Sequence, residues 1–316
     1  MASQTYNAGN IQVLEGLEAV RMRPGMYIGT TSSRGLHHLL WEIVDNAIDE
    51  ASNGFASEVS VTLHKDGSAS VYDNGRGMPV DEHPTMHKPG VEVIFTVLHA
   101  GGKFNSENYD YSGGLHGVGA SVVNALSKWL TVDVFLNWTH YRMAFTSQTD
   151  PATGKIHAGK PEGPLEVLGN TRKKGTLVRF LPDDEIFEDV RFQTETVARR
   201  LQELAYLNRG IRITFTDERL ADADSRTRVF CYDGGISDYV RYLNPVKTPC
   251  RKISSILRAN GTPSSAARPS SILTATPKAC SLMSTTSIHP KAAPTRPVLR
   301  RPLPSASMIM PAGSAC

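Results

Sequence analysis

A glutamate, an asparagine, an isolated aspartate and three clusters of glycine hold the chemistry legible in this sequence. On a 3.6-residue period, His38, Glu42, Asp45, Asn46 and Asp49 fall in one stripe of the segment Leu36 to Ala51, so an imidazole, a carboxylate and a carboxamide stand one turn apart. The segment contains no Lys or Arg. Such a face suits a divalent cation and a base that activates water; taken alone, its commoner explanation is a solvated acidic surface. Asp73-Asn74-Gly75-Arg76-Gly77-Met78-Pro79 offers a single carboxylate beside two glycines, where backbone can come close to a ligand. An ordinary Asn-Gly turn explains the same residues equally well.

The third feature is Gly113-Gly114-Leu115-His116-Gly117-Val118-Gly119, which opens the apolar run Ala120 to Leu126. Glycines leading into a helix aim N–H groups and the positive end of the helix dipole at an anion, most often a phosphate. Lys103, in Ala100-Gly101-Gly102-Lys103-Phe104, can add a point charge to the same anion. The long stretch Gly101 to Ser112 between the two glycine clusters reads as a lid. Two better-known phosphate motifs do not fit. The P-loop needs Ser or Thr after Gly-Lys, where Phe104 stands, and the dinucleotide fingerprint needs a glycine where Val122 stands.

The elements that must position these residues follow from periodicity and punctuation. Leu36, Leu39, Leu40, Ile43, Val44, Ala47, Ile48 and Ala51 make a continuous apolar stripe opposite the acidic one, so this helix docks on a core. Ser32 or Ser33 is its expected cap, and Asn53-Gly54 its stop. Before it, Ile11 to Arg23 reads as a short amphipathic helix ended by Pro24-Gly25. After it, Val59, Val61 and Leu63 alternate with polar residues, Asp66-Gly67 turns, and Ala69 and Val71 return as a hairpin. Val91 to Leu98 and Phe192 to Asn208 read as helices. Leu130 to Phe135, Tyr141 to Phe145, Gly175 to Phe180 and Ile211 to Thr216 read as strands, with Asp150 to Gly163 a loop and Ala221 to Arg228 a polar turn. This order lacks repeated βαβ units and predicts an α/β sandwich with helices on one face of a mixed, largely antiparallel sheet.

The chain has 316 residues, 40% of them hydrophobic, and a net charge of +3, enough for a real core and too near neutrality to argue by itself for a nucleic-acid or membrane partner. No apolar run approaches the ~20 residues of a membrane span and Met1 to Asn10 is polar, so no membrane and a cytoplasmic location are expected. Cys231, Cys250, Cys280 and Cys316 have neither metal-ligand nor disulfide-framework spacing. Every Asp and Glu lies at or before Asp238, whereas Arg251 to Cys316 has nine Lys or Arg, no acid and no aromatic residue. A boundary near residue 250 is implied.

Four segments in order resemble the GHKL ATPase superfamily of gyrases, chaperones, histidine kinases and mismatch-repair proteins: Glu42-x-x-x-Asn46, Asp73-x-Gly75-x-Gly77, Gly113 to Gly119, and Gly175-Thr176. Arg23-Pro24-Gly25-Met26-Tyr27-Ile28-Gly29 and Leu98 to Phe104 narrow the resemblance to B-type subunits of bacterial type II DNA topoisomerases, over residues 6 to 249. The resemblance implies the α+β GHKL (Bergerat) two-layer sandwich, with a dimerisation arm over residues 1–20 and an ATPase domain over 21–249. It implies ATP and Mg²⁺ as ligands, Glu42 as general base oriented by His38, and Asn46 as Mg²⁺ ligand. Asp73, helped by Thr176, would accept the adenine amino group. Gly77, Met78, Pro79 and Ile94 would pack round the base with Tyr109 on the adenine side, Lys103 and the N–H groups of Leu115, His116, Gly117, Val118 and Gly119 would cradle the phosphates, and Glu50, Arg76, Gly101 and Gly102 are further cofactor-binding residues. Tyr6 and Ile11 match an arm that reaches a second subunit when ATP is bound, and DNA and an A subunit are the partners of the intact family protein. Met78 replaces a branched aliphatic residue, and Leu136 stands where some members carry arginine.

Beyond residue 249 the resemblance calls for a transducer domain whose lysine touches the γ-phosphate. The Ser-, Pro-, Ala- and Thr-rich segment present instead lacks hydrophobic periodicity and is expected to be disordered. Read one base out of frame with permitted codons, Met283 to Arg296 can spell a segment like that transducer. The expectation is therefore an out-of-frame tail over 250–316, ATP binding with weak hydrolysis, and no supercoiling by this chain. A non-hydrolysing nucleotide-binding remnant is the alternative.

Overall fold

The apolar stripe from Leu36 to Ile48 becomes part of the hydrophobic core. In the computed structural model, which describes residues 16–100, 117–149 and 156–244, helix α3 (Ser33–Ser52) buries Leu36, Leu39, Leu40, Ile43, Val44, Ala47 and Ile48, each at most 7% exposed. At ~1.5–3 kcal/mol per fully buried large side chain, this one face contributes a major part of the driving force for docking the helix. Ser32 is the N-cap residue, but its side chain makes no capping hydrogen bond. His37 is also buried: its Nδ1 lies 2.6 Å from Ser33 O, and its Nε2 accepts from Gln193 N at 2.9 Å. It ties α3 to the start of α6 (Thr194–Leu207).

Before α3 come α1 (Gly16–Met22) and α2 (Gly25–Ile28), separated at Pro24 as the sequence predicts. After it, β1 (Glu58–Leu63) and β2 (Ala69–Asp73) form the expected hairpin, its turn held by Asp66 Oδ1 accepting from Ser68 N and Oγ. Then follow α4 (Gly90–Thr96), α5 (Gly119–Ala125), β3 (Ser127–Leu136), β4 (Thr139–Thr149), β5 (Ile156–Pro161), β6 (Glu166–Asn170), β7 (Gly175–Pro182), α6, β8 (Arg212–Asp217), α7 (Ala223–Arg226), β9 (Thr227–Phe230) and α8 (Ile236–Leu243). Among the described residues the strands form one sheet in the order β5-β4-β3-β7-β2-β1-β8-β9, with β6 also paired to β4. Of these pairs only β1 with β8 is parallel. The mixed, largely antiparallel α+β sandwich is the expected one.

Register explains which face is covered. Phe215, Val61, Val71, Val178, Val132 and Met143 are cross-strand neighbours in one row from β8 to β4, and all are buried. Because side chains alternate, the row two residues along shares this face: Ile213, Val59, Asp73, Thr176, Val134 and Tyr141. Asp73 thus stands on the core side of the sheet, on which α3 packs against β1 and β2.

Several elements differ from expectation. β5 lies inside the stretch read as a loop, β6 was not anticipated, and α7 with β9 replaces the polar turn. All five residues of β6 are exposed and include Gly169, so its strand state comes from pairing with β4 rather than from a burial pattern. Asp49, placed by periodicity on the polar stripe, is 4% exposed. Two strands pack on α3, and the covered face is wider than its apolar stripe.

Candidate functional site

Helix α3 presents Glu42, Asn46 and Glu50 at successive turns, all half-buried. His38 Nε2 lies 3.2 Å from Glu42 Oε1, the spacing that i, i+4 positions produce. The other Glu42 oxygen lies against Gly119, at the start of α5. A Cβ at position 119 would overlap Glu42 Oε2 and approach its Cβ to 3.2 Å. A larger residue there would have to displace the carboxylate, and the two motifs, far apart in sequence, share one place.

Asp73 ends β2 with 8% of its surface exposed. Gly75 N donates to its Oδ1 at 2.9 Å. Burial pushes the carboxyl up to about 7; the Gly75 N–H opposes this, the nearby Glu50 charge adds to it, and the Thr176 N–H opposes it. A carboxylate has about four acceptor positions, so these two backbone donors leave capacity for a further partner. Thr176 is its cross-strand neighbour in β7 and is buried. Gly75 is crowded in the same way as Gly119: an added Cβ would meet Asp73 Oδ1 at 2.7 Å and Glu50 Oε2 at 3.0 Å, and both carboxylates would have to shift.

Glu50 and Arg76 are joined to each other. Arg76 Nε and Nη2 donate to the two Glu50 oxygens at 3.1 and 2.8 Å, and Arg76 N donates to Oε2 at 3.3 Å. The guanidinium also covers the Phe55 ring, 3.6 Å from its centroid. This clamp fastens the β2 loop to α3, and Phe55 is a member of it that sequence reasoning missed; its neighbour Gly54, a turn signal, gave no hint of an aromatic contact. Gly77 follows with φ +84°, and a Cβ there would press on Val134 at 3.3 Å. Met78 and Ile94 pack half-buried against the core. Pro79 lies on Gly90, the first residue of α4, which carries Ile94. Gly117, with φ +60°, and Val118 lead into α5.

The structure therefore brings His38, Glu42, Asn46, Glu50, Asp73, Arg76, Gly77, Met78, Pro79, Ile94, Gly117, Val118, Gly119 and Thr176 to the α3, β2, α4 and α5 side of the sheet. Gly101, Gly102, Lys103, Tyr109, Leu115 and His116, with the lid, the arm residues Tyr6 and Ile11 and the tail from 250, lie outside the described residues. Among the described residues no three His, Cys, Asp or Glu are grouped as a metal cage. Asn46 can supply one oxygen to a cation that takes its other ligands from phosphates and water. The spare acceptor capacity at Asp73 fits a bound nucleotide, whose amino group could donate to it.

Residues 31–186 match the family of histidine kinase-, DNA gyrase B- and HSP90-like ATPases, and the chain belongs to that family. Its relatives make the type more particular. The chain is 50% identical over 258 residues to the type 2 topoisomerase B subunit of Aquifex aeolicus, covering 82% of this chain and 30% of that protein. It is 54% identical over 243 residues to the DNA gyrase B subunit of Halalkalibacterium halodurans (76% and 36%), and 55% identical over 243 residues to the DNA topoisomerase 4 B subunit of Enterococcus faecalis (77% and 34%). The 43K ATPase domain of Thermus thermophilus gyrase B, solved in complex with an aminocoumarin, superimposes with a TM-score of 0.62 at 42% identity, covering 75% of this chain and 57% of that one. The domain is thus an ATPase domain of the gyrase B type, and the chain spans about a third of the length of the curated relatives it matches.

Proposed function

We propose that this domain binds ATP with Mg²⁺ and hydrolyses it, in the role of the nucleotide-operated dimer gate of a type II topoisomerase B subunit. The observation that carries the reading is the meeting of Glu42 with Gly119, because it sets a general base against the glycine segment that receives phosphates in this reading. Asp73 accepts from the adenine amino group, and Thr176 supports it from the neighbouring strand. Met78, Pro79 and Ile94 flank the base, while Glu50 and Arg76 hold the loop that presents Asp73. Glu42 takes a proton from water as it attacks the terminal phosphate, and His38 keeps its carboxylate oriented. Asn46 would hold Mg²⁺ through its side-chain oxygen, and the cation would supply charge to offset that of the phosphates. Gly101, Gly102, Lys103, Tyr109, Leu115 and His116 complete the site from the segment between α4 and α5.

In a whole subunit this cycle closes a homodimer through the arm that carries Tyr6 and Ile11, captures DNA and works with an A subunit in the cytoplasm. For residues 250–316 we propose an out-of-frame tail in place of the transducer. The change of composition near residue 250 supports this and also favours the second reading, a nucleotide-binding remnant that does not turn over. ATP-dependent thermal stabilisation followed by phosphate release separates the two. Glu42→Ala is expected to keep the stabilisation and lose ~10²–10⁴-fold of any turnover; full hydrolysis in that variant would remove Glu42 from its role. Stabilisation without phosphate release from the unaltered chain would select the remnant.

A further inference from the structure

The turn between β3 and β4 carries a residue that neither the fold nor the nucleotide site explains. Asn137 and Trp138 occupy it with φ +51° and +65°, the two positive values a tight hairpin turn demands, where the second position ordinarily takes glycine. Trp138 instead places an indole there, 73% exposed. The other two tryptophans, Trp41 and Trp129, are half-buried. A bulky side chain at the φ that glycine takes most easily, left in water, gains nothing from packing.

The neighbouring loop between β6 and β7 supplies the charge. Thr171 N donates to Trp138 O at 2.8 Å, which ties the two loops together. Arg172, Lys173 and Lys174 follow, all exposed, and none forms an ion pair among the described residues. The loop is anchored rather than loose. Tyr72 Oη donates to Lys174 O at 2.9 Å, Lys173 N to Thr171 Oγ1 at 3.1 Å, and the Lys173 ammonium stands 5.7 Å from the Phe135 ring centre.

We infer that the β3–β4 turn and the β6–β7 loop form a docking surface for single-stranded nucleic acid, with Trp138 stacking on a base and Arg172, Lys173 and Lys174 meeting consecutive phosphates. Charge complementarity selects a polyanion, and the lone projecting ring selects one with exposed π-faces. An acidic peptide would neutralise the cations and leave the indole in water. The surface uses none of the nucleotide-site residues, and it extends the proposed function from the mononucleotide to the polymer.

The test uses the full chain, a fluorescein-labelled mixed-sequence 20-mer and anisotropy titrations over a range of salt. The unaltered chain is expected to bind, with quenching of Trp138 emission that is absent in Trp138→Phe. Trp138→Ala should weaken binding about 5- to 100-fold. Replacing Arg172, Lys173 and Lys174 together with Ala should make the slope of log affinity against log salt shallower by about 2. Affinities unchanged in both variants would assign any binding to other cations, such as the nine beyond residue 250, and overturn the inference. Absence of oligonucleotide binding, or binding only to phosphatidylserine vesicles, would overturn it equally. ATP-dependent thermal stabilisation, measured on every sample, reports separately on folding and on the nucleotide site; a variant that loses it is replaced by Trp138→Phe or Lys173→Gln.

Discussion

Asp73 and Asp217 stand at opposite ends of β1, each paired with it and each buried, yet the protein treats them differently. Asp217 accepts from Thr194 Oγ1 at 2.6 Å, Arg219 N at 3.1 Å, Arg219 Nε at 2.8 Å and Arg219 Nη2 at 2.7 Å. Burial alone would raise its proton affinity; the hydrogen bonds from Arg219 and Thr194 outweigh that and hold the carboxyl below its ordinary range. Among the described residues Asp73 has only backbone donors, and burial carries it to about 7. A carboxylate completed from within is architecture. One buried with acceptor capacity to spare can receive a ligand's donor, the role proposed for Asp73.

Exchanging the two roles is the strongest way to break the comparison. Asp73→Ala should weaken ATP binding about 100-fold, the value of a hydrogen bond to a charged acceptor with its desolvation, while leaving the fold intact in urea titrations. Asp217→Ala should do the reverse. It strands a guanidinium three-quarters buried, should cost about 2–3 kcal/mol of unfolding free energy, and should leave ATP affinity in the folded fraction unchanged. Equal effects on binding from both variants would end the distinction.

Gly119→Ala tests whether Glu42 belongs with Asp73 on the ligand-facing side. The added methyl displaces the Glu42 carboxylate, and a displacement near 1 Å should reduce turnover by up to about 10²-fold with a smaller effect on ATP affinity. Measured kinetics indistinguishable from the parent would mean that the carboxylate works from elsewhere.

The smallest effects per step are in pH. If, as proposed, the adenine amino group donates to the ionised form of Asp73, ATP affinity should fall by up to about tenfold per pH unit below 7; a flat profile would mean that the neutral carboxyl serves. The sign for stability is opposite. With its folded value raised from 3.8 to about 7, Asp73 binds a proton more tightly in the native state than in the unfolded chain. Its contribution to stability is complete below pH ~4 and declines by up to about 1.4 kcal/mol per unit as pH rises through 4–7. Asp73→Asn should flatten urea-derived stability across that window. Asp217, held low, contributes stability above its ordinary range and loses it only as pH falls below about 4.

Much of the site was legible because its motifs are local. The α3 stripes follow from i, i+3 and i+4 geometry, and the β1–β2 hairpin from period-two alternation around Asp66-Gly67. The glycine segment before α5 announces itself by composition. β5 and β6 were not legible, since β6 has every residue exposed and both become strands by pairing with β4. Nor was the inward position of Asp49, because the width of a helix's covered face depends on what packs against it. The resemblance placed Glu50 and Arg76 beside the nucleotide, and only the structure joins them to each other and to Phe55.

By itself, then, the sequence determined which residue types stand one helical turn or one strand step apart, and with them the family and the proposal of Glu42, Asn46 and Asp73 as site residues. Such patterns depend on the backbone's own periods, which every stretch of chain carries within it. Tertiary structure decided that Gly119 lies under Glu42, that Asp73 shares the core face with Val59 and Thr176, and that its carboxyl holds its proton to about pH 7. Clearance and desolvation are sums over atoms distant in sequence, and they acquire values only when the sheet and helices have closed around the site.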